Sequence, residues 1–134
     1  MSQLVLDDQL DWQKILPPLE GWMTAVRLQD LRPGEHILDD RVPELLLTLN
    51  KPTFVTIDHG FWNRWLCHSG YCILHFAVRN EKQAELPLLM RRLFRLAAFR
   101  TRAVRMGKVA RVGTNAVAYW EAAKKVKLNL PDVD

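Results

Sequence analysis

The chain has 134 residues, 49% of them hydrophobic and 25% charged, with a formal net charge of +4. This balance excludes a disordered polyelectrolyte, and the length suits one domain, 1–134, with one sizeable core. No apolar run reaches the roughly 18 residues that a membrane span requires. The acidic start also lacks the features of a signal peptide, so a cytoplasmic protein is expected.

Gln3–Leu6 reads as a first strand that runs into Asp7-Asp8. An amphipathic helix is expected from Asp8 to Leu16, with Asp8 as its cap and Leu10, Ile15 and Leu16 on its apolar face. Pro17-Pro18 should end it, because proline cannot continue the hydrogen-bond ladder. Trp22–Leu28 is a second strand, with Met23, Ala25 and Val26 turned inward, and Pro33-Gly34 marks a turn. Asp39 or Asp40 opens the next helix, where Pro43 is tolerated in the first turn and Leu45, Leu46, Leu47 and Leu49 supply the core side. Thr53–Ile57 is β-branched and apolar enough for a central strand, and Cys72–Val78 is a fourth.

Glu81–Phe99 carries the longest helical pattern, with Pro87 as either a kink or the true start. Lys108–Val112 and Ala116–Tyr119 flank Gly113-Thr-Asn115, which reads as a closing hairpin. The charged residues from about 124 onward are expected to form a loose tail. Strands alternating with helices imply an α/β fold. The only cysteines, Cys67 and Cys72, cannot build a disulfide scaffold or a zinc framework. With His68 and His75 nearby they invite a metal-site reading, but the segment reads better as a buried strand with a free thiol.

Acids stand where such a fold gathers ligands. A parallel sheet collects the carboxyl ends of its strands along one edge. Asp7 and Asp58 each follow an apolar strand, and Asp40 stands at a helix start. Clustered carboxylates there suit Mg²⁺ or Mn²⁺, which can supply both a nucleophilic water and relief of leaving-group charge in phosphodiester hydrolysis. Asp40 also suits a plain helix cap and Asp58 a turn. Charge is divided along the chain: residues 1–60 hold ten acids and five bases, whereas Leu86 to Trp120 contains no acid. Arg91, Arg92, Arg95, Arg102, Arg105 and Lys108 in that stretch are candidate RNA contacts, or cations solvating a helix face. Phe61, Trp62 and Trp65 could stack unpaired bases or form core or a dimer face. With only Ser2 and Ser69, a serine hydrolase has little to work with, and no glycine-rich phosphate loop appears. A receiver domain also gathers acids at strand ends, but its late-strand lysine would have to be Lys108.

Several segments carry a resemblance. Leu6-Asp7-Asp8-Gln9-Leu10 resembles the opening strand-to-helix motif of the PIN-like family, and Val26-Arg27 through Gly34 resembles the loop after its second strand. Asp40 precedes Asp58 by the family's interval of 18 residues. Phe54-Val-Thr-Ile-Asp58 with Phe61 is similar to its third-strand motif, and Arg105–Val112 to its closing strand. The similarity spans residues 3 to about 120. It implies a PIN-like three-layer fold with a mostly parallel central sheet flanked by helices. It further implies a Mg²⁺- (or Mn²⁺-) dependent endoribonuclease similar to the VapC-type toxins of toxin–antitoxin pairs. Asp7, Asp40 and Asp58 would be metal ligands and catalytic residues, with Asp8 and Asp39 as further ligands. RNA, a small antitoxin protein and a second copy in a homodimer would be the partners. Gly60 stands where the family pattern has another acid, so the alternative is a catalytically weak or inactive module that binds RNA or protein.

Overall fold

Two strands are buried at every position and set the centre of the molecule. β3 (Thr53–Thr56) and β4 (Cys72–Phe76) expose no residue, as strands covered on both faces of a parallel sheet do. The computed structural model, which describes residues 3–132, builds one seven-stranded sheet around them. The other strands are β1 (Gln3–Leu6), β2 (Thr24–Arg27), β5 (Lys108–Val112), β6 (Ala116–Glu121) and β7 (Lys124–Asn129). Their order is β2-β1-β3-β4-β5-β6-β7. The pairs from β2 to β5 are parallel, and those joining β5 to β6 and β6 to β7 are antiparallel. The fold is therefore α/β, and its sheet is mixed: a parallel set on one side, an antiparallel extension on the other.

The hairpin at Gly113 is present, but the loose tail is not. Residues from Lys124 form β7, with Val126 and Leu128 packed on the core and Lys125 and Lys127 exposed. The turn that launches β7 holds Ala122 at a φ of 56°, a conformation usually marked by glycine or asparagine. That missing signature, with the high charge, hides a period-two strand.

Helices cover both faces. α1 (Trp12–Leu19) and α4 (Leu86–Leu93) pack with Leu4, Leu6, Val55, Leu74 and Ala110. α2 (Leu28–Leu31) and α3 (Val42–Leu47) pack on the opposite face with Val5, Phe54, Ile73 and Val109. α1 departs from expectation at both ends. Its cap is Asp11, whose carboxylate accepts the Gln13 N–H at 3.2 Å, and it runs through Pro17 and Pro18. The carbonyls those prolines leave unbonded belong to Gln13 and Lys14, which are exposed and can turn to water. Pro87 lies in the first turn of α4, so it marks a start rather than a kink. Leu86, Leu89, Met90 and Leu93 of α4 are inside the core, while Leu88 of α4 and Trp65 are exposed.

One buried cation ties α5 (Arg102–Arg105) to the sheet. Arg105 is 1% exposed; its guanidinium donates to Thr53 Oγ1 at 3.1 Å and Phe99 O at 3.0 Å and lies 4.5 Å from the Phe94 ring centroid. Desolvation lowers its pKa, and no carboxylate is paired with it among the described residues. Truncation would leave two acceptors and a cavity, so Arg105→Ala should lose about 2–4 kcal/mol. A lower urea midpoint at constant m-value is the expected readout; an unchanged midpoint would show the guanidinium to be dispensable.

Candidate metal and nucleic-acid site

β1 and β3 run in parallel as neighbours, so their carboxyl ends open on the same edge. Asp7 and Asp58 follow those ends, and Thr56 couples them. Its hydroxyl donates to Asp7 Oδ2 at 2.6 Å and accepts the Asp58 N–H at 3.0 Å. Asp7 Oδ1 accepts the Asp8 N–H at 2.7 Å, and the Asp7 N–H continues the ladder to Val55 O at 3.0 Å. Asp58 Oδ1 accepts the Gly60 N–H at 2.9 Å and caps the 3-10 turn His59–Phe61. Both carboxylates are thus held by backbone. Asp7 is only 5% exposed, and burial pushes its carboxyl up to about 6 against the opposing bonds from Thr56 and Asp8.

The facing wall is the 3-10 turn Asp39–Arg41, which leads into α3. Asp39 and Asp40 separate two adjoining crevices: one also holds Asp7, Asp8 and His36, the other Asp58, Gly60 and Asn63. The carboxyl of Asp58 is the neighbouring acid that acts most strongly on Asp39. Partial desolvation, then the neighbouring carboxyls of Asp58, Asp8 and Asp40, push Asp39 upward. The structure therefore brings Asp7, Asp8, Asp39, Asp40 and Asp58 to one edge. The intimate partner of Asp58 is Asp39, where the interval of 18 residues had singled out Asp40.

The cross-strand register brings further residues into line with Asp7. Thr56 pairs with His75 and His75 with Arg111, so Asp7, Thr56, His75 and Arg111 form one row on one sheet face. His75 is buried with Nδ1 unpartnered and stands edge-on to His59, with ring centroids 5.5 Å apart. Desolvation, then the neighbouring His59 and Arg111, lower its pKa to about 4, so it is neutral at pH 7. His36 stands in the lining of the Asp7 crevice. Only the register and the loop path reveal these two; no local motif marks them.

The predicted RNA-binding cations fare differently. Arg105 and Lys108 are buried; Lys108 bonds Val104 O and pairs with Glu121 at 3.1 Å. Neither is available to phosphate as placed, and Lys108 starts β5 at the edge opposite the acids, which removes the receiver reading. Arg92 bonds Pro131 O and Thr114 O. Arg91 covers the Trp22 ring at 4.5 Å and shares a pocket with Arg95, Arg100 and Met23, just ahead of β2. Arg102 sits on α5 beside Arg105. Arg91, Arg95, Arg102, Arg105 and Lys108 thus gather toward the amino edge, a strand's length of roughly 13 Å from the carboxylates, whereas Arg92 is tied to the loops beyond β5 and β7. Cys67 and Cys72 are free thiols, and burial raises Cys72 to about 12.

The chemistry of the carboxylate edge suits a divalent cation. Its donors are hard oxygens whose mutual repulsion, which pushes Asp39 upward, a cation would relieve. Among the described residues, no three histidine, cysteine, aspartate or glutamate side chains stand where they could hold one ion. Mg²⁺ does not require three: it keeps several waters and commonly takes one or two carboxylates plus substrate phosphates. The Asp39–Asp58 pair fits that mode. Among the described residues, no helix is long and apolar enough to cross a membrane. Compared with family models, with curated proteins and with solved structures, the chain finds no match.

The buried acid makes stability pH-dependent. Folded Asp7 titrates near 6 against an ordinary 3.8, so the folded state holds the proton that the unfolded chain releases between those values. Its contribution is greatest below about pH 4 and is lost as pH rises through about 6. In EDTA, Asp7→Asn should flatten that loss and exceed the wild type by about 2 kcal/mol above pH 6. Urea titrations across this range check it; an identical pH profile in the variant would exclude Asp7 as the source.

Proposed function

We propose that this protein is a PIN-like, Mg²⁺- or Mn²⁺-dependent endoribonuclease, similar in role to the toxin of a toxin–antitoxin pair and silenced by a small antitoxin. The observation that carries the reading is the gathering of five carboxylates in two adjoining crevices at one strand edge, with Asp39 and Asp40 common to both. Such an edge is costly for a chain without a cation to neutralise it. Asp39 and Asp58, with Asp40 and Asp8 beside them, would hold the ion. When bound, it would lower the pKa of a water and offset charge on the scissile phosphate.

The remaining residues have their own roles. Thr56 locks Asp7 and the Asp58 backbone in one arrangement, so the carboxylates need no reorganisation as charge develops. Asp7, titrating near 6, is suited to accept a proton from an attacking water near neutral pH. Arg111, at the carboxyl end of β5, is the cation of the Asp7 row and would orient a phosphate.

A second reading has one observation in its favour. A Cβ at Gly60 would lie 3.3 Å from Asp58 Oδ1, so a further acid there would crowd the carboxylate that the Gly60 N–H now supports. A weak or inactive module that binds RNA or protein would carry that difference. The two readings separate on labelled single-stranded RNA with Mn²⁺ or Mg²⁺. Metal-dependent cleavage is expected, falling by about 10²-fold or more in Asp58→Asn and Asp39→Asn with unfolding midpoints retained. No cleavage with either metal would leave only the module; full activity in both variants would remove the residue assignment.

A further inference from the structure

Beyond Arg111 the sheet continues for two strands, and the face that carries Asp7 is open there. Alternation sends Val117, Tyr119, Val126 and Leu128 into the core on the other side. Arg111, Lys125, Lys127 and Asn129 stand exposed on the open face, with Ala118 half-buried among them. No carboxylate shares this face of β5, β6 and β7; Glu121 lies on the opposite side, paired with Lys108.

Indoles stand among these cations. Trp62 leaves the 3-10 turn capped by Asp58 and meets Trp120 of β6, ring centroids 6.5 Å apart. The Lys125 ammonium lies 5.9 Å and 5.6 Å from those two rings. Arg64 lies 5.6 Å from Trp120 and 4.3 Å from Trp65, which is 78% exposed. Arg111 is three strands from Asp7, roughly 14 Å, and Lys127 two strands further, roughly 10 Å.

A cation row with interleaved indoles asks for a partner with regular negative charge and flat apolar surfaces. Single-stranded nucleic acid has both, because its phosphates meet the lysines and its unpaired bases stack on the rings. A duplex offers the phosphates but hides the base planes. We infer that the open face of β5–β6–β7, with Trp62, Trp120, Lys125, Lys127 and Arg111, binds single-stranded nucleic acid and leads it along the Asp7 row to the carboxylates. The destination of the strand rests on the nuclease reading; the binding itself does not.

The test is fluorescence anisotropy of a short labelled oligouridine, with a matching duplex as competitor, in EDTA so that no cleavage occurs. Wild-type protein should bind the single strand in preference to the duplex, with affinity falling as salt rises. The double variant Lys125→Glu, Lys127→Glu, which touches only exposed side chains, should weaken binding at least tenfold. Removing these two contacts should also make the log–log salt slope shallower by about 1.4. Trp62→Ala should cost about tenfold through lost stacking. Arg91→Ala with Arg95→Ala, at the other sheet edge, should leave affinity unchanged. The proposal is overturned by absence of oligouridine binding, by preference for duplex, or by a charge-reversed variant that binds like wild type. A loss in the Arg91/Arg95 variant equal to that in the lysine variant would also overturn it. Binding as described without cleavage on adding Mn²⁺ would remove the nuclease reading and leave this surface standing. Cleavage retained with unaltered affinity in the lysine variant would remove this surface alone.

Discussion

A single threonine hydroxyl organises the acidic edge. Thr56 is buried at the end of β3, and its Oγ1 serves the side chain of Asp7 on one strand and the backbone of Asp58 on its own. The geometry is available only because β1 and β3 are parallel and in register, which sets Asp7 directly beside Thr56. A slip of one residue would turn Asp7 to the opposite face, into the apolar core with Leu4 and Leu6. The register that builds the core therefore also builds the site.

The same sheet serves two purposes on its two faces. One face is closed by α1 and α4 over a large apolar core. The other is covered by α2, α3 and the turns that follow Asp58, whose Trp62 reaches Trp120 of β6. Where that cover stops, the exposed residues change from aliphatic to basic and aromatic. Acidic groups and basic groups thus occupy one face in succession, joined by the row from Asp7 through His75 to Arg111. A charge gradient of this kind orients a polyanion without needing a deep pocket.

His75 is the residue whose environment is hardest to account for by packing alone. A buried imidazole with one nitrogen unpartnered is destabilising relative to an apolar side chain of similar volume. Burial keeps it neutral, and its T-shaped contact with His59 places it beside the turn capped by Asp58. The desolvated row of Asp7, Thr56 and His75 is where this protein departs most from a purely apolar sheet interior. Such departures concentrate where chemistry or binding is done.

What the sequence alone determined follows from local physics. β-branched runs gave the central strands, proline and glycine gave the turns, and acids just after apolar strands gave Asp7 and Asp58 as edge residues. Other features were beyond its reach because they depend on non-local pairing. Arg105 reads as one more cation in a basic stretch, yet tertiary packing buries it against Thr53 and Phe94. Asp39 and Asp40 are indistinguishable in sequence, and only the path of their turn decides which carboxyl meets Asp58. The strand at Lys124 lacks the usual turn residue and carries charge on one face, so local composition reads as a tail while pairing with β6 makes it a strand. The row through His75 and Arg111 exists only in cross-strand register. Local sequence encodes periodicity and turn chemistry; register and burial are set by partners distant in the chain, so only the tertiary structure decided them.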